Sequence, residues 1–207
     1  MKTITKDTML VENVTRDAVY EYHIRDNACL TLILTMIARK GQIGVHVTVR
    51  LAGKGAKATI VGLIAGTDDS STALHTLQQH EVPETTSNLL IKGVWKDRAK
   101  FLYDGAIRVE KNAQKTDAYQ RNENLLLSPQ AFAESKPSLE ILANDVRCTH
   151  GATVASLAKD ELWYLATRGI ARPDSSRLLV AGFLESALKN VPAARTRGVV
   201  GRVLAAV

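Results

Sequence analysis

The sequence predicts a mainly β protein that closes with a small C-terminal α-helical domain, and three observations carry that expectation. Between residues 19 and 110 the chain is a succession of short segments rich in Val, Ile, Leu and Thr, separated by Gly, Asn, Asp and Lys turns. Almost none of these segments has a helix-period apolar face, so the alternation of strand and helix that marks a nucleotide-binding α/β sheet is missing. After residue 154 the strand pattern stops, and helix-period apolar stripes begin.

Residues 1–17, MKTITKDTMLVENVTRD, precede the first strand and are expected to cap the β body. The strands then run as VYEYHI (19–24), LTLILTMIA (30–38), VHVTVRLAG (45–53), KATIVGLIAG (57–66), TSNLLIKGVW (86–95) and AKFLYDGAIRVE (99–110). Gly44, Gly53, Gly55, Gly62, Gly66, Gly93 and Gly105 are read as corners between strands. Recurrent corners suit a parallel solenoid whose coils stack on one another. No exact repeat accompanies them, so sandwich, barrel and solenoid all remain open on pattern alone.

The helices begin with KDELWYLATR (159–168), whose Leu162, Trp163, Leu165 and Ala166 are apolar and which Gly169 ends as a left-handed cap. Pro173 opens a second helix from its first position; it runs to about residue 190 with Leu178, Leu179, Phe183, Leu184 and Leu188 in its apolar stripe, and Pro192 stops it. A third, weaker helix is expected within 193–207, which carries Arg195, Arg197 and Arg202. From Lys159 onward eight basic residues face four acidic ones, making a small basic module that docks on the β body or offers a face to a partner.

At 207 residues, 45% hydrophobic and 23% charged, the chain has the composition of one large globular domain or a domain with a small appendage, which excludes disorder as a whole-chain description. No apolar run reaches the roughly 18–20 residues of a membrane span. The opening MKTITKDTMLVENV lacks the apolar core of a secretion signal, so a cytoplasmic protein is expected. Two distant cysteines in such a compartment are free thiols. The net charge of +6 permits acidic partners, yet aromatics make up only 5% and no basic stripe is clustered, so nucleic acid is not an expected ligand. No GxxxxGK[ST], HExxH, CxxC or GxSxG occurs, which removes P-loop nucleotide binding and several hydrolase chemistries.

The one productive pair of ligating residues lies in LEILANDVRCTHGATV (139–154), at the junction of the β and helical regions. On an extended strand Cys148 and His150 share a face, with Cβ atoms about 6.5–7 Å apart. A thiolate and an imidazole suit zinc, copper or an iron–sulfur cluster, but they are half of the four ligands a closed tetrahedral site needs. The competing reading is a plain cysteine and histidine at a strand end. His75 and His80 have opposite strand parity and are not expected to form a local site; His23 and His46 alternate with apolar residues and read as structural. Cys29, at the start of an apolar strand, reads as a small buried hydrophobe.

DVRCTHGAT (145–153), preceded by KPSLEILAN, resembles the segment that marks the SufB/SufD family of iron–sulfur cluster assembly proteins. The resemblance extends to TTSNLLIKGV (85–94), GAIRVEKNAQKTDAYQRNENLLLS (105–128), ELWYLATRGI (161–170) and LLVAGFLESAL (178–188), covering about 28–190. It implies a right-handed parallel β-helix over residues 18–154, and over 155–207 a helical domain that docks a SufC-like ABC-type ATPase, with Leu162, Tyr164, Arg168 and Phe183 as contact residues. It further implies a non-catalytic scaffold that pairs with itself or a second SufB/SufD-like chain, binds no nucleotide itself, and holds a transient iron–sulfur cluster between the two chains. Cys148 and His150 are the ligands it assigns here. A carboxylate ligand used by some SufB-type chains has no counterpart, since Gly151 follows His150. Two alternatives stand beside this: a β-helix interaction subunit that binds no cluster, and a β-helix enzyme of the carbohydrate-lyase kind, for which no constellation of carboxylate and basic residues is found.

Overall fold

The computed structural model of the protein describes residues 1–189, 191 and 198–207. Twelve strands alternate between two parallel sheets: β1 (Lys2–Ile4), β3 (Ala18–Ile24), β5 (Gln42–Leu51), β7 (Ser71–His80), β9 (Lys100–Val109) and β11 (Phe132–Ile141) form sheet A. Sheet B is β2 (Thr8–Val14), β4 (Cys29–Ala38), β6 (Lys57–Gly66), β8 (Thr86–Trp95), β10 (Thr116–Leu126) and β12 (Val146–Ser156). Each strand pairs in parallel with the one a coil later, so the chain winds as a β-solenoid; sandwich and barrel are ruled out. Residues 1–17 supply the first strand of each sheet and so belong to the first coil.

The two sheets differ in how their strands are written. On β7 every second residue is buried, from Thr72 to His80, because its outer face meets water. On β6 burial is continuous from Ile60 to Gly66. There the outer face is covered by helices, and a strand covered on both faces reads as an unbroken apolar run.

Most of the expected glycine corners are not corners. Gly53 and Gly55 do turn the chain, but Gly44, Gly62, Gly66, Gly93 and Gly105 lie inside strands. Several of these make room for large side chains: a Cβ on Gly66 or Gly93 would come within 2.7 or 2.6 Å of the Trp95 indole. The corners themselves use left-handed residues of other types, namely Asn27, Glu84 and Lys115 with Gly55 at one edge, and Asp68 and Asp97 with Gly41 at the other. Neighbouring corners are tied by hydrogen bonds, as where the Asp97 amide donates to Ser128 Oγ at 2.8 Å.

The interior changes character along the axis. In the early coils it is Leu, Ile, Val and Met, and toward the last coil it fills with amides and hydroxyls. Gln78, His80, Gln120, Asn122 and Asn124 are all at most 2% exposed. Most of their groups are paired with one another: Trp95 Nε1 donates to Asn124 Oδ1 at 2.9 Å, Asn124 Nδ2 to Asn122 Oδ1 at 2.7 Å, and Gln78 Nε2 to Gln120 Oε1 at 3.3 Å, while Gln78 Oε1 has no partner among the described residues.

Among the described residues three helices follow: α1 (Lys159–Thr167), α2 (Arg172–Glu185) continued by a 3₁₀ turn (Ser186–Leu188), and α3 (Val199–Leu204). Gly169, at φ 81°, ends α1 as expected, and Pro173 lies in the first turn of α2. The stop at Pro192 and the segment carrying Arg195 and Arg197 lie outside the described residues. Val180, Leu184, Ala187, Val199 and Val203 pack with Ile33, Val61, Leu63 and Val94, so the helices share a core with the outer face of sheet B. Lys92 pins this interface: its ammonium, 8% exposed, bonds Glu123 at 2.8 Å and Ser186 Oγ at 2.7 Å and lies 4.3 Å from the Phe183 ring centroid. No helix described is long and apolar enough to cross a membrane.

Candidate functional site

A corner divides 139–154, leaving Leu139 and Ile141 at the end of β11 and Cys148 and His150 near the start of β12. These are the last strands of their sheets, so each presents one unpaired row of backbone N–H and C=O groups. Cys148 is in register with Ala118, and His150 with Gln120. Ala118 and Gln120 face the interior and are fully covered by β12. The same inward parity puts Cys148 and His150 at the open mouth of the solenoid, where no further coil covers them.

Cys148 rests on an apolar floor made by Ile107, Val109, Ala113, Ala118 and Ala143, with Val146 alongside. This partial burial pushes its thiol pKa up; a hydrogen bond from the Ala118 backbone works against the rise, and the Asp117 carboxylate adds to it. Burial therefore favours the protonated thiol of Cys148 over its thiolate. His150 is exposed. Around the two runs an apolar rim of Leu139, Ile141, Leu142 and Val154, each more than a third exposed. Hydrophobic side chains beside unpaired strand edges are the composition of a surface made to be covered.

The structure thus brings Cys148 and His150 together on one accessible face, as two donors. Among the described residues no three His, Cys, Asp or Glu side chains already converge as a metal site. The apolar rim has no signature in the sequence, because the inner faces of β11 and β12 look like any strand until it is known that nothing stacks above them among the described residues. Cys29 is half-buried at the start of β4 rather than fully buried, and burial raises its thiol pKa too.

At the helical end the four expected contact residues separate. Tyr164 is 52% exposed with the Arg168 guanidinium 5.1 Å from its ring centroid, and Leu162 is partly covered. Phe183, by contrast, packs beneath the helices with its ring under Lys92, turned to the β body. The sequence missed Trp163 as a surface residue; it is 70% exposed, and no residue of α1 is fully buried. Beside Tyr164, Leu178 of α2 is also open at 54%, so α1 and α2 together present an uncovered apolar shoulder.

Comparison with known proteins identifies the family of the chain. The chain is 36% identical to an iron–sulfur cluster assembly SufBD family protein of Synechocystis over 136 residues, which is 66% of this chain and 30% of that protein. It is 35% identical to the iron–sulfur cluster assembly protein SufD of Escherichia coli over 127 residues, 61% of this chain and 29% of the relative. The chloroplastic ABCI7 protein of Arabidopsis thaliana is 30% identical over 171 residues, 82% of this chain and 36% of its own length. The chain therefore spans about a third of the length of these relatives. The family model described as the SufBD core domain of the SUF system for FeS cluster assembly matches residues 13–183, and the chain belongs to that family.

Proposed function

We propose that the protein is a non-catalytic scaffold subunit of a Suf-type iron–sulfur cluster assembly complex, holding a nascent cluster as cargo between two paired chains. The observation that carries this reading is the position of Cys148 and His150 at the open mouth, inside an apolar rim and beside two unpaired strand edges. Two such mouths facing each other bury the rim, pair the edges and bring two thiols and two imidazoles to one place, which supplies four ligands. A SufB/SufD-like second chain supplies the remainder in the same way. Thiolate and imidazole are donors that iron accepts. The half-buried thiol gives up its proton on ligation, so cluster loading releases protons.

The exposed shoulder of α1 and α2, with Trp163, Tyr164, Arg168 and Leu178, is the docking face for an ABC-type ATPase. Nucleotide hydrolysis belongs to that partner. Lys92 and its contacts fix the end of α2 to sheet B, so a change in the partner's state is passed to the β body through that interface.

Anaerobic reconstitution with ferrous iron and sulfide tests the site. The expected result is thiolate-to-iron absorption that Cys148→Ser abolishes and His150→Ala weakens. Unchanged absorption in the serine variant removes Cys148 from the site and favours the second reading, an interaction subunit that keeps the fold and partners without binding a cluster. Co-purification with the ATPase is expected to fail for Trp163→Ala with Tyr164→Ala, and persistence of the complex refutes the docking face.

A further inference from the structure

A second set of metal donors lies on the outer face of sheet A, which the helices leave uncovered. His46 on β5 is in register with His75 on β7, and His75 with Asp104 on β9. The two imidazole rings are stacked, centroids 4.5 Å apart and 8° from parallel, and His75 Nδ1 lies 3.6 Å from Asp104 Oδ2. Both the His75 and Asp104 side chains are about half exposed, at 44% and 57%. We propose that His46, His75 and Asp104 bind a divalent first-row transition-metal ion, at a site separate from the mouth.

The donor set is the first support. Two imidazoles and one carboxylate, with open positions left for water, form the facial set that suits ferrous iron and its neighbours in the first row. The second is the spacing. Adjacent strands stand about 4.8 Å apart. Metal–nitrogen bonds of about 2.0–2.1 Å place two nitrogens on one ion about 3 Å apart. The stacked rings are adjacent side chains on one sheet face, and rotation of each about Cβ–Cγ is the movement that turns their nitrogen edges toward one ion. The third is availability. Lys136, next to Asp104 in the row, bonds Glu134 at 3.0 Å instead, and the only ion pair Asp104 makes among the described residues is with His75. The row is solvent-facing, so the ion enters without local unfolding. Among the described residues no three such side chains already converge as a metal site, so the proposed site requires His46, His75 and Asp104 to move together as the ion binds.

The test uses the tag-free full chain carrying Cys148→Ser and His150→Ala, so that the mouth contributes nothing. Titration with Co(II), followed by calorimetry and visible absorption, is expected to show one equivalent bound. His46→Ala or His75→Ala on that background should weaken binding at least tenfold and Asp104→Asn severalfold, whereas His23→Ala should leave it unchanged. Absence of Co(II) binding to the background chain overturns the proposal, as does binding that neither His46→Ala nor His75→Ala alters. Thermal unfolding of each variant checks the fold, and His46→Gln replaces His46→Ala if the latter melts early. The outcome is independent of the mouth, because cluster reconstitution on the wild-type chain is read separately.

Discussion

His80 makes the fold acid-sensitive. Its ring is fully buried at the end of β7, with Nδ1 2.7 Å from Thr85 Oγ1 and Nε2 2.9 Å from Ser87 Oγ. Burial drives its pKa down from 6.5 to about 4, with the Asp117 carboxylate opposing the shift weakly. The folded protein thus binds this proton less readily than the unfolded chain does. Its contribution to stability is complete above pH 6.5 and drains away as pH falls from there toward 4. With those two pKa values, about 2 kcal/mol is lost between pH 7.5 and pH 5, and about 3 kcal/mol at the acid limit. Urea unfolding of the wild type and of His80→Gln at pH 7.5, 6 and 5 isolates this effect, because the other histidines contribute equally to both proteins. The wild type should lose about 2 kcal/mol more than the glutamine variant over that range. Parallel pH profiles would refute the assignment, as would an NMR signal of the His80 ring that titrates near pH 6.5 in the native state.

Other perturbations follow from close packing and from the interfaces. Gly53→Ala puts a Cβ 2.0 Å from the Asp26 amide nitrogen, which the corner cannot relieve, so a loss of about 3 kcal/mol or more, or insoluble protein, is expected on expression and melting. Trp95→Phe removes the donor to Asn124 Oδ1 and leaves a small void beside Gly66 and Gly93; chemical denaturation should show about 2–3 kcal/mol of destabilisation. Lys92→Ala strips Glu123 of a buried partner and should raise hydrogen exchange in α2 and the 3₁₀ turn well before the β body responds. Leu139→Lys with Val154→Lys places charge on the mouth rim, and light scattering should show loss of chain pairing at unchanged melting temperature.

The sequence made the apolar coils legible and the polar ones obscure. Strands such as β4, β6 and β8 carry long β-branched and leucine-rich runs and were read to within a residue or two. The alternation in β7, β10 and β11 is just as regular in space, but its inward positions are Gln78, His80, Gln120 and Asn122, or Ser135 and Pro137, which no hydrophobic pattern marks. The solenoid was hidden for a related reason. Coils of unequal length stack unlike residues, so that Ile60 meets Leu89 and Leu89 meets Gln120, and no repeat is written in the chain. Family resemblance supplied what periodicity did not. The shared face of Cys148 and His150 needed only the parity of a strand and was readable at once. The stacking of His46 on His75, one whole coil apart in sequence, was not.

The passage from an oily interior to an amide-filled one also orders how the molecule comes apart. In a stacked array each coil is stabilised by its neighbours, and the last has only one. Here that last coil stands on the amides of β10 as well as on the small apolar floor around Ile107 and Val109, so it gains less from burial than the leucine and isoleucine coils do and opens at a lower free-energy cost. Fraying therefore starts at β11 and β12 and stops against the leucine and isoleucine layers behind them. The solenoid is a graded spring, stiff where it only has to stand and compliant where another surface must be fitted to it.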